Sequence, residues 1–217
     1  MPRSDAAGAP IVVLRSDDAD PVPIQPAVEA LLAGRLVIYP TDTLYALGGR
    51  ALDPEAAEKV QQAKGRPETK PLPLIACDRT QAEMLVSRWP PVAEALARAF
   101  WPGPLTLVLP ARPGLPGAVT SGGAGVAVRV PALRLARELC RRAGPLISTS
   151  ANRSGEPGAV TCAEAIAAVG EFAAVAIDLG PGQPLASTIV DLTGDEPRCL
   201  REGAIAWAAV YGSWTRP

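Results

Sequence analysis

The apolar runs in this chain are short, and proline or glycine closes most of them. Leu36-Val-Ile-Tyr39 runs into Pro40, the stretch 105–109 lies between Pro104 and Pro110, and the stretch 126–130 lies between Gly125 and Pro131. Runs this short, bounded by such breakers, read as strands. Segments with helix punctuation fall between them. Residues 25–33 carry Pro26 in the first turn and stop at Gly34, and residues 53–64 begin with Asp53 and Pro54 and stop at Gly65. Both patterns use proline where a helix can start and glycine where it must end. Further helices are expected over 79–87, 91–100, 133–143 and 161–169, the last opened by the capping-box spacing Thr161-Cys-Ala-Glu164. Strands are expected at 72–77, 146–148, 174–179, 188–192 and 198–201, with a short one at 11–14. Strands and helices alternate irregularly, and strands follow one another directly near the end. This favours a mixed α/β sheet with helices packed on it over a strict β-α-β barrel. One domain is expected over 25–205, between an N-terminal tail at 1–24 and a C-terminal tail at 206–217.

A chain of 217 residues, 48% hydrophobic, can bury a core without disulfides or a structural metal. Aromatic content is only 4%, so aliphatic side chains and alanine must fill that core. The formal net charge of −1 argues against a whole-protein electrostatic grip on nucleic acid or membrane, although a local basic cleft stays compatible with it. Histidine is absent, which removes Ser-His-Asp and Cys-His nucleophile schemes and the usual catalytic zinc sites. Cys77, Cys140, Cys162 and Cys199 are scattered with no C-x-x-C pair, as expected for reduced thiols in a cytoplasm. No signal-like segment or membrane span is visible, so a cytoplasmic location is expected.

Four segments place polar residues and tight turns against apolar strands. In Tyr39-Pro-Thr-Asp-Thr-Leu-Tyr-Ala-Leu-Gly48, two threonines and an aspartate follow a strand, where they could hold a polar ligand or close an Asx/ST turn. In Lys64-Gly-Arg-Pro-Glu-Thr-Lys70, three cations lie just past a helix end. They fit either a set of helix-end contacts or a phosphate clamp. Ser148-Thr-Ser-Ala-Asn-Arg-Ser-Gly155 offers hydroxyls and an amide with little bulk, as phosphate cradles do, but it is neither a P-loop nor a dinucleotide fingerprint. Arg129, in Val128-Arg-Val-Pro131, is a lone charge in an apolar strand and needs either an internal partner or a ligand carboxylate.

Taken in order, these segments resemble the YrdC family. That family's pattern is Pro-Thr-(Asp/Glu)-Thr-x-Tyr-Gly-Leu, Lys-x-Arg-Pro, Trp-Pro-Gly-Pro-x-Thr, Val-Arg-x-Pro, Ser-Ala-Asn-x-Ser-Gly, Ser-Thr-x-x-Asp and Arg-x-Gly. The chain supplies them at 40–47, 64–67, 101–106, 128–131, 150–155, 187–191 and 201–203. Two positions depart from the pattern: Ala46 stands where glycine is usual, and Gly158 where many members carry serine. The chain runs only to Pro217, so the extra C-terminal domain of longer members is not expected.

The resemblance implies an open, twisted mixed β-sheet with flanking helices and a deep basic concave cleft. It implies a threonylcarbamoyl-AMP synthase using ATP, L-threonine and bicarbonate, with Mg2+ on the phosphates and no protein metal ligand. Lys64, Arg66, Lys70, Thr106, Ser150, Asn152 and Arg201 would then lie by the nucleotide, with Lys64 and Arg66 offsetting phosphate charge in the reaction. Thr43, Arg129, Ser148 and Ser187 would surround the threonine. Downstream proteins would carry the threonylcarbamoyl group to tRNA adenosine, and direct tRNA contact is compatible with the cleft. The enzyme alternative is carbamoyl-AMP formation of the hydrogenase-maturation type, which shares the fold; the non-enzyme alternative is an RNA-binding module using the same cleft. Near-neutral charge and few aromatics for base stacking count against the latter.

Overall fold

The first long apolar run explains much of the architecture, because both its faces are covered. In the computed structural model, which describes residues 11–15, 23–65 and 70–215, the chain begins with β1 (Val12–Arg15), α1 (Gln25–Leu32) and β2 (Leu36–Tyr39). Leu36 and Ile38 pack into one hydrophobic core, and Val37 and Tyr39 into a second on the opposite face. Then come β3 (Ala46–Gly48), α2 (Pro54–Lys64), β4 (Leu74–Ile75), α3 (Arg79–Glu83), α4 (Pro91–Phe100), β5 (Leu105–Pro110) and α5 (Gly117–Thr120). The chain continues through β6 (Gly125–Arg129), α6 (Arg134–Ala143), β7 (Leu146–Ile147), β8 (Thr149–Ser150) and α7 (Cys162–Val169). It ends with β9 (Ala173–Asp178), β10 (Thr188–Asp191), β11 (Arg198–Arg201) and α8 (Trp207–Thr215).

The expected mixed α/β architecture is present, with its strands divided over two mixed sheets. One has the order β1-β9-β2-β3-β8 and the other β11-β10-β5-β6-β4-β7. The first joins parallel pairs at β1–β9 and β2–β9 to antiparallel pairs at β2–β3 and β3–β8. The second alternates antiparallel and parallel pairs across its width. The chain passes from one sheet to the other between β7 and β8, at Ser148. Helices α1 and α6 cover the smaller core beside β2 and β9, while α2, α4 and α7 enclose the larger core between the sheets. Alanine, valine and leucine dominate both, as the low aromatic content requires.

Local signals act as their chemistry dictates. Asp53 Oδ1 accepts from the amides of Glu55 and Ala56 at 3.0 and 3.2 Å, and Gly65 ends α2 with φ 54°. The Thr161–Glu164 capping box forms in full. Other expectations shift. The helix expected at 79–87 stops at Glu83, and the strand expected at 72–77 is paired only at Leu74 and Ile75. The segment read as a C-terminal tail holds α8, which packs on α4. Trp207, Val210 and Trp214 share one helical face there, with Val210 fully buried and the Trp207 and Trp214 rings 5.6 Å apart. Ala46 lies in β3, paired with Tyr39 and Ser150, so its methyl meets no positive-φ penalty.

Gly203 shows why the Arg-x-Gly element needs its glycine. A Cβ there would lie 2.2 Å from the Ala186 carbonyl oxygen and 2.7 Å from the backbone of Ser187. Gly203→Ala is expected to cost about 1–3 kcal/mol through overpacking against backbone. Urea unfolding should show this as a lower midpoint with an unchanged slope.

Candidate active site

The floor of the main cleft follows from strand alternation. Leu105, Leu107 and Leu109 of β5, Val126 and Val128 of β6, and Val190 of β10 face the larger core. Their alternates Thr106 and Val108, Ala127 and Arg129, and Ile189 line a cleft of about 320 Å3 on the other face of the same sheet. Arg129, a lone charge in sequence, thus lies on the polar side of its strand. The rim comes from the β2–β3 turn, from Ser148–Ser150 at the sheet crossover, and from Ser187 and Arg201. A wider, more open trough of about 1090 Å3 lies between α2 and residues 117–122, and among the described residues none of the sequence-predicted site residues lines it.

Arg129 is the most constrained group in the cleft. Its Nε donates to the Gly103 carbonyl at 3.0 Å, Nη1 donates to Thr43 Oγ1 at 3.1 Å, and Nη2 pairs with Asp42 Oδ1. The Trp101-Pro-Gly-Pro loop therefore acts here through its backbone carbonyl. Three of the five guanidinium N–H groups are engaged, leaving one on each terminal nitrogen for a ligand carboxylate. The internal-partner alternative for Arg129 is thus met, and the pair leaves donors to spare. Burial pulls the guanidinium below its usual pKa, Asp42 opposes that, and the neighbouring positive charge of Arg201 adds to the lowering.

The β2–β3 turn holds itself together through Thr41. Its hydroxyl donates to Leu44 O at 2.7 Å and accepts from the Thr43 amide at 3.2 Å. With that proton committed, Thr43 is the donor in the 2.9 Å Thr41–Thr43 hydroxyl contact. On the opposite rim, Arg201 donates to the Ser187 carbonyl at 2.8 and 3.1 Å and to Ser187 Oγ at 3.2 Å, and Ser187 Oγ lies 2.9 Å from Thr106 Oγ1. Burial lowers the Arg201 pKa as well.

Lys64, at the last turn of α2, does more than complement the helix end. Its side chain is buried, and Nζ donates to the Ser150 carbonyl at 2.6 Å and to Asn152 Oδ1 at 2.7 Å. Asn152 Oδ1 also accepts from Ser150 Oγ at 2.6 Å, while its Nδ2 donates to Glu156 O and Arg153 O. The Asn152 amide is therefore spent within the 148–156 turn, which it organises behind Ser150.

Thr43, Thr106, Arg129, Ser148, Ser150, Ser187 and Arg201 are all brought to the cleft wall, with Lys64 and Asn152 directly behind Ser150. Lys70 is exposed beside Pro71, which lines the cleft, and Arg66 lies outside the described residues. Sequence reasoning gave Asp42 a polar ligand or an Asx turn and did not pair it with Arg129. The signal was present, because a buried arginine needs an anion and Asp42 sits between two residues already singled out. Gly158 has a steric part: a Cβ there would lie 2.5 Å from Leu44 Cδ1, so glycine gives Leu44 its place at the cleft edge.

A profile of the Sua5/YciO/YrdC family, described under telomere recombination, matches residues 29–203. The chain belongs to this family. Threonylcarbamoyl-AMP synthase of Bacillus subtilis (strain 168) is 40% identical over 187 residues, covering 84% of this chain and 54% of the relative. The enzyme of the same name from Chromohalobacter salexigens is 39% identical over 178 residues, covering 80% of this chain and 94% of the relative. Among solved structures, Pyrococcus abyssi Sua5 complexed with L-threonine superposes with a TM-score of 0.88 at 34% identity. That match covers 95% of this chain and 61% of the Sua5 chain. Among the described residues, members of these Sua5/YciO/YrdC motifs therefore meet around one cleft.

Replacing Lys64 by Met would leave Ser150 O and Asn152 Oδ1 without their charged donor. A cost of about 1–3 kcal/mol is expected from the loss of these charge-assisted hydrogen bonds, although Asn152 Oδ1 keeps the one from Ser150 Oγ. A lower melting temperature should accompany weakened ATP binding measured by calorimetry; loss of ATP binding at unchanged melting temperature would place Lys64 outside this network.

Proposed function

We propose that this chain is a threonylcarbamoyl-AMP synthase, a nucleotidyltransferase that converts L-threonine, bicarbonate and ATP into L-threonylcarbamoyladenylate and pyrophosphate. The observation that carries this reading is the meeting, in one cleft, of two guanidiniums and a set of hydroxyls from separate motifs of the family. The match to a Sua5 complexed with L-threonine, and to relatives named threonylcarbamoyl-AMP synthase, supports the same chemistry.

In this reading the threonine amine and bicarbonate give a carbamate and water. A carbamate oxygen attacks the α-phosphorus of ATP, a P–O bond forms, and the bond to the β-phosphate oxygen breaks to release pyrophosphate. No histidine is required, because positioning and charge neutralisation dominate such transfers. Arg129 offers its two spare N–H groups to the threonine carboxylate, with Thr43, Ser148 and Ser187 around the amino acid. Lys64, Arg66 and Lys70 offset phosphate charge, while Thr106, Ser150 and Arg201 face the nucleotide and Asn152 supports Ser150. In this reading magnesium would enter on the phosphates of ATP and offset their charge there.

Among the described residues no helix is long and apolar enough to cross a membrane. We place the protein in the cytoplasm, where its adenylate passes to proteins that modify tRNA adenosine.

Pyrophosphate release from ATP should depend on both threonine and bicarbonate, with a matching adenylate mass. Equal turnover with and without threonine overturns the reading, and preference for carbamoyl phosphate points to carbamoyl-AMP formation instead. Arg129→Leu should raise the threonine KM by roughly 10- to 150-fold, the value of a charge-assisted hydrogen bond, and leave the ATP KM nearly unchanged.

A further inference from the structure

Asp42 is placed to act on Arg129 and on little else. Its Oδ1 pairs with Arg129 Nη2, and its Oδ2 is buried with no hydrogen-bond partner among the described residues. An aspartate that served to close its own turn would accept a nearby backbone amide, as Asx turns do. Here the turn is closed by Thr41, whose hydroxyl bonds both the Thr43 amide and the Leu44 carbonyl. The Asp42 carboxylate contributes no backbone contact to it.

Arg129, in turn, is under two opposing influences. Its side chain keeps 8% of its exposure, so most of its hydration is gone, and Arg201 adds a like charge to the same cleft. The carbonyl of Gly103 and the hydroxyl of Thr43 fix direction but supply no countercharge. Without Asp42 the guanidinium would be drawn toward water and away from Arg201, and the rigid, planar group would carry its two remaining N–H groups away with it.

We infer that Asp42 is a positioning residue for substrate recognition: it holds Arg129 so that the two unengaged N–H groups face the amino-acid carboxylate. This rests on the reading that Arg129 receives that carboxylate. The contribution is to threonine rather than to ATP, because Asp42 touches the guanidinium and not the Lys64–Ser150–Asn152 network. Glutamate, also an acid, can restore the pair at the cost of one extra methylene to accommodate.

The test measures separate KM values for threonine and ATP in pyrophosphate-release assays on the full chain, with melting temperatures alongside. Asp42→Asn should raise the threonine KM by about 10-fold or more, in the range of a lost charge-assisted contact, with the ATP KM within about 2-fold of wild type. Asp42→Glu should recover most of the threonine affinity. In an Arg129→Gln background, Asp42→Asn should add nothing further, because two residues acting through one contact are not additive. Parallel rises in both KM values, or an undiminished extra effect in the Arg129→Gln background, would overturn the proposal and leave Asp42 a stabilising residue only. If Arg129→Gln alone leaves the threonine KM unchanged, the carboxylate reading itself fails and the proposal falls with it. Asp42→Ser, which leaves space for a water against the guanidinium, takes the place of Asp42→Asn if the latter does not fold.

Discussion

Arg129 leaves the floor of the six-stranded sheet and ends among Asp42, Thr43 and the Gly103 carbonyl, on loops that belong to two other parts of the chain. This one side chain ties the β2–β3 turn of the first sheet to the second sheet and to the segment that feeds β5. A buried cation of this kind is costly unless every side of it is answered. Once answered, it sets the spacing across the cleft. The turn, through Asp42 and Thr43, and the Trp101-Pro-Gly-Pro loop, through the Gly103 carbonyl, are held to the same guanidinium.

Two further polar networks extend from this centre without sharing atoms with it. Lys64 joins the end of α2 to the crossover strand through Ser150 and Asn152, and Arg201 joins β11 to Ser187, which meets Thr106. The first joins residues 86 and 88 positions apart, and the second runs within the six-stranded sheet from Arg201 through Ser187 to Thr106, so each forms only when distant segments pack together. The hydroxyls that line the cleft are therefore held in place before any ligand arrives, which is the condition for electrostatic preorganisation. Close backbone approach supports this rigidity at Gly203, where no side chain fits beside Ala186 and Ser187.

Much of the local structure was legible from punctuation. Asp53, Pro54 and Gly65 delimited α2, and Thr161 with Glu164 opened α7, because caps are decided by residues within one turn. β3 escaped notice because Ala46–Gly48 has three residues and sits inside a motif that reads as a turn. In sequence α8 looks like a tail, because its aromatic spacing acquires meaning only beside α4, against which it packs. The division of the strands between two sheets was equally hidden, since pairing partners such as β9 with β1 and β2 lie far apart along the chain.

The sequence by itself determined the residue types of the site and their order: the Thr-Asp-Thr turn, the cations after α2, the hydroxyl-rich crossover and the charge in β6. Composition also excluded imidazole chemistry, since the chain has no histidine. Tertiary structure alone decided which of these groups meet and which are spent on one another. Local chemistry left Lys64 between helix end and phosphate clamp, and Arg129 between salt bridge and ligand. The folded chain gives Lys64 to Ser150 and Asn152 and gives Arg129 to Asp42 with two donors remaining. The physical reason is that hydrogen bonds and ion pairs act over a few ångströms, whereas these partners stand 86 to 88 residues apart in sequence, so only the packing of the two sheets could choose between them.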